Sequence, residues 1–172
     1  MLIPNADSVV TILATVVWSW DMNDIEQICQ QLDLRLSEVV GSRRTYLWER
    51  HPALHFYTSP ARVDWVEICV GSAILGESAE VDIDDFEREC EVWELEHRNF
   101  CTHLVDKLGA ARYIGPTRET PSGDVIPDAD PFVHGEQVGI WDFPTCQLGI
   151  CFDTFNDPPM LDIHILIFPR NN

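Results

Sequence analysis

Carboxylates dominate the chemistry that this chain of 172 residues could perform, with 29 Asp and Glu against 11 Lys and Arg for a formal charge of −18. The window from Glu77 to Glu96 alone holds ten of them (Glu77, Glu80, Asp82, Asp84, Asp85, Glu87, Glu89, Glu91, Glu94, Glu96) against Arg88, a net of −9. Paired carboxylates serve as general acid and base only where a concave site drives their pKa values apart. Acids this dense on a solvent-facing segment form a solvated face instead. Histidine and cysteine offer two further constellations. In "HPALH", His51 and His55 stand four apart, but Pro52 disfavours the helix that would align them for a metal. In "HRNFCTH", His97 and Cys101 share a helix face, yet His97 sits on the apolar side beside Trp93 and Phe100, the position of an interfacial histidine. No C-x-x-C, G-x-G or G-x-S-x-G occurs, so redox, dinucleotide, phosphate-loop and hydrolase-elbow motifs are missing. Neither metal nor cofactor is expected.

Solubility accounts for the acid but not for what the back of the acidic segment carries. At 100° per residue from Phe86, Leu95 falls at about 180° and Val92 at about 240°, opposite the core stripe. Asp85, Arg88 and Glu91 flank them. An apolar spot rimmed by charge has the form of a docking surface, although a second packing layer would produce the same pattern. The candidate partner-binding residues are therefore Glu87, Glu91, Val92, Glu94 and Leu95. To these we add Glu119, Asp124, Asp128 and Asp130, from an acidic loop in which the stretch from Glu119 to Glu136 holds five carboxylates and no base. A sequence pI near 4.4 argues against nucleic acid and anionic membrane, which reward Lys and Arg, and favours a cationic partner.

These residues must be positioned by a core, and a composition 45% hydrophobic with six Trp and eight Phe supplies one. The length suits a single domain over residues 1–172. "WSWDMNDIEQICQQLDL" places Asp21 at an N-cap ahead of Ile25, Ile28, Cys29 and Leu32, predicting a short helix over 22–32. Upstream, "SVVTILATVV" suits strand and helix almost equally, its β-branched content tipping it toward strand. Runs over 45–50, 53–58 and 62–70 read as an antiparallel meander broken by His51-Pro52 and Ser59-Pro60.

A long helix over 84–108 is expected next, capped by Asp84 with Glu87 three residues on and closed by Gly109. Its apolar stripe is Phe86, Cys90, Trp93, His97, Phe100, Leu104 and Leu108. The Pro-rich stretch from Gly115 to Gly135 has no periodicity, and loops of that length are usually functional or disordered. "EQVGIWDF", "CQLGICFD" and "MLDIHILIF" close the chain as three strands, the last apolar on both faces and hence central. The expected fold is α+β: a mostly antiparallel sheet with one long and one short helix packed on it.

"MLIPNADSVV" lacks a basic leader, and "SVVTILATVVW" is too short to span a bilayer, which predicts a cytoplasmic protein. Six scattered cysteines then imply reduced thiols. Lys107 is the one lysine against ten arginines, a bias of GC-rich coding that hints at an actinobacterial source.

The Trp18-x-Trp20 pair, the helix exit "LVDKLGAARYIGPT" and the closing "QVGIWDF…CQLGICFD…DIHILIFP" resemble a family of small actinobacterial immunity factors. That group includes the factor that neutralises the mycobacterial NAD-degrading necrotizing toxin. The resemblance runs over most of the chain and rests on Trp and helix-to-meander patterning, so it carries over no individual site residue. It implies an immunity protein that binds its cognate toxin and blocks a positively charged NAD-binding cleft. Two other readings remain open: a small enzyme or ligand-binding domain with a pocket under the 115–135 loop, and an acidic interaction adaptor.

Overall fold

The computed structural model describes residues 6–48, 51–76, 82–117, 136–156 and 158–170. Among them are three helices, α1 (Ala6–Thr15), α2 (Met22–Leu32) and α3 (Ile83–Leu108). The strands are β1 (Arg35–Val40), β2 (Arg43–Trp48), β3 (His51–Ser59), β4 (Arg62–Ile74), β5 (Tyr113–Pro116), β6 (Gln137–Asp142), β7 (Cys146–Asn156) and β8 (Pro159–Pro169). They form one sheet in the order β1-β2-β3-β4-β8-β7-β6-β5, every neighbouring pair antiparallel. Two meanders of four strands therefore meet at β4 and β8. The long helix α3 carries the chain from β4 to the far edge, from which β5 to β8 step back to the centre. The fold is α+β, as the patterning implies.

All three helices join one hydrophobic cluster with a single face of the sheet. In β8, Leu161, Ile163, Ile165 and Ile167 are wholly buried on that face by their period of two. Leu166 and Phe168 turn to the opposite face, where they pack on Val138, Ile140 and Cys151. The strand is central; its second face is apolar at Leu166 and Phe168 and polar at Asp162 and His164. No described helix is long and apolar enough to cross a membrane.

The segment that tips toward strand by composition is helix α1. Its buried residues Ala6, Val9, Val10, Leu13 and Ala14 recur at three and four, a helical stripe that burial rewards more than β-branching penalises. Thr11 Oγ1 returns its hydrogen bond to the Asp7 carbonyl at 2.7 Å, so the hydroxyl stays within the helix. Helix α2 runs over 22–32 as predicted, with Asp21 accepting from the Asn23 N–H at 2.7 Å. The N-cap of α3 is Asp82 rather than Asp84. The Asp82 carboxylate accepts from the Asp84 N–H at 2.8 Å and its carbonyl from the Phe86 N–H at 2.9 Å, so the earlier acceptor closes the first turn. Strands β1 and β5 lie outside the expected set. Both are edges, one exposed along its whole length and the other four residues long.

Candidate functional site

Helix α3 owes its position to its inner stripe. Trp93, His97, Phe100, Cys101 and Leu104 are buried against the sheet. Gly139 on β6 makes the approach possible, since a Cβ there would sit 2.6 Å from Cys101 Sγ. The Trp141 indole donates to the Gly109 carbonyl at 3.0 Å and ties the helix exit to β6. At the same end Lys107 and His103 both reach the Asp7 carboxylate of α1, an ion pair led by Lys107 that holds Asp7 below the usual carboxylate range.

The outer face of α3 brings five of the nine predicted partner-binding residues together. Val92 and Leu95 are 50% and 53% exposed, so among the described residues no second packing layer covers them. Glu87 and Glu91 are exposed and Glu94 is partly buried. From Asp82 to Glu96 the helix presents eight carboxylates (82, 84, 85, 87, 89, 91, 94, 96) against Arg88, which pairs with Asp85 one turn back. The positive end of the helix dipole favours acids in the first turn of this stretch, and the one lysine falls in the last turn. Glu119, Asp124, Asp128 and Asp130, and the loop pocket proposed with them, lie outside the described residues.

The histidine and cysteine constellations resolve into structure. His97 is 2% exposed and its Nε2–H donates to the Ile150 carbonyl at 2.8 Å, with Cys101 Sγ 3.5 Å from the same nitrogen. Burial holds its pKa down and the ring neutral. His51 and His55 lie in one strand, where four residues separate their backbones by roughly 13 Å; His55 Nδ1 meets Thr45 Oγ1 at 3.1 Å instead. Among the described residues no group of three or more His, Cys, Asp or Glu is placed to hold a metal. All six cysteines carry thiols rather than disulfides. Burial pushes Cys29 and Cys69 up to about 11, Cys101 and Cys146 up to about 12, and Cys90 upward as well. These five stay protonated at neutral pH and lack the thiolate that nucleophilic chemistry requires.

Two arrangements escape a reading by motif. The first is the Trp18-Ser19-Trp20 turn. The buried Asp24 carboxylate accepts from the Ser19 N–H (3.0 Å), Ser19 Oγ (2.9 Å) and the Trp20 N–H (2.7 Å). Trp20 adopts φ 62°, a left-handed conformation uncommon for a bulky side chain. It is held there by its indole bond to the Thr145 carbonyl (2.8 Å), by the Val63 N–H on its own carbonyl (3.0 Å), and by stacking on Trp18 at 4.7 Å. The Trp pair is a clasp joining α1, α2, β4 and the β6–β7 turn.

The second is the sheet face that no described helix covers. Tyr57, Trp65 and Phe168 stack across β3, β4 and β8, with centroids 3.7 and 5.7 Å apart. Tyr57 donates to Glu67 at 2.9 Å, and His164 pairs with Asp153 at 3.0 Å. Cys69 and Cys151 flank His164 on the adjoining strands. Period-two alternation in β3, β4 and β8 is the signal that could have grouped them. Neither a protein-family model, nor a curated protein, nor a solved structure matches the chain.

Proposed function

We infer that the protein is a non-enzymatic immunity protein that binds a secreted NAD glycohydrolase toxin and occludes its positively charged NAD-binding cleft. It acts in the cytoplasm, without cofactor, nucleic acid or membrane. The observation that carries this reading is the outer face of α3, where exposed Val92 and Leu95 sit inside a field of carboxylates. A cleft that holds a dianionic dinucleotide must be cationic, and an acidic face complements it. Opposed fields raise association well above the ~10⁵–10⁶ M⁻¹s⁻¹ of neutral pairs, while a desolvated apolar centre slows dissociation.

The test separates these two contributions. Glu87, Glu91 and Glu94 converted together to Gln should slow association with the toxin about tenfold and flatten its salt dependence, leaving dissociation nearly unchanged. Val92→Ser with Leu95→Ser should instead speed dissociation and restore NAD consumption. Surface plasmon resonance and an NAD assay measure both on one protein pair. If both variants bind and inhibit like wild type, the face of α3 is not the toxin surface.

An enzyme reading draws on the His164–Asp153 pair beside Cys69. The raised Cys69 pKa of about 11, set by burial and then by the Asp162 charge, works against it. Turnover by the purified chain alone would favour that reading over inhibition.

A further inference from the structure

We draw no further inference here: the strongest candidate, the face of the sheet on which Tyr57, Trp65 and Phe168 stack across β3, β4 and β8 beside the His164–Asp153 pair, carries none because nothing in the structure shows what covers it.

Discussion

His97 is a buried base in the seam between α3 and β7, and it gives the protein a pH response of predictable sign. Burial lowers its pKa in the folded chain from the ordinary 6.5. The unfolded chain therefore binds the proton first as pH falls. The His97 contribution to stability is complete above 6.5 and is lost as pH drops from there toward the folded pKa. Asp7 is also lowered, from 3.8, by Lys107 and then His103, so its contribution is lost in a separate, more acidic window. Urea unfolding from about pH 7 to about pH 5 should show stability falling, and His97→Gln should flatten that slope by removing the titrating group. An unchanged slope in the variant would mean that other groups set the response. The variant should be less stable at pH 7 as well, because the amide must reach the Ile150 carbonyl from a different geometry.

Helix α3 depends on one close approach. Gly139 leaves room for Cys101 and for the ring of Trp141, and both residues are buried in the main cluster. Gly139→Ala should destabilise the fold by about 1–3 kcal/mol through overpacking. Cys101→Ala removes the nearest atom, so the pair should couple: the double variant should lose less than the sum of the single losses. Urea midpoints of the four proteins in that cycle decide it. Strict additivity would place the strain against Trp141, whose ring atom lies 2.9 Å from the same ideal Cβ. Where Cys101 carries the strain, relief comes from a shift of the helix, and with it of the outer face bearing Val92 and Leu95. A change in toxin association alongside the stability loss would tie packing to function.

Over the whole molecule, a charge of −18 on 172 residues makes the folded state self-repelling. Raising salt from about 0.02 M to about 0.2 M shortens the screening length and should raise the melting temperature by a few degrees. The Glu87, Glu91 and Glu94 to Gln variant should start higher at low salt and rise less. Calorimetry at the two salts reads both quantities. A melting temperature indifferent to salt would show that local pairs, such as Arg88 with Asp85, already neutralise the field. Concentrated acid on one helix thus carries a stability penalty, which is the physical reason to seek a binding role for it.

Local periodicity and local chemistry are legible in the amino-acid sequence alone. The stripe from Phe86 to Leu108, the helix over 22–32 with Asp21 at its head, the apolar face of β8 and the antiparallel α+β class all follow from spacing between near neighbours, where geometry repeats every 3.6 or 2 residues. The placement of Val92 and Leu95 opposite that stripe follows from the same arithmetic; their exposure is a tertiary fact. What depends on distant residues is not legible in the sequence. Helix α1 competes evenly with strand until its stripe is buried beside α3, and Asp82 and Asp84 compete for one cap until the first turn closes. The Trp18–Trp20 clasp needs Thr145, more than 120 residues away. The stack of Tyr57, Trp65 and Phe168 and the bare edge of β1 exist only once strand order is set. Sequence spacing encodes which side of an element is apolar; which elements meet, and so which surfaces are left uncovered, is decided by packing that no single segment contains.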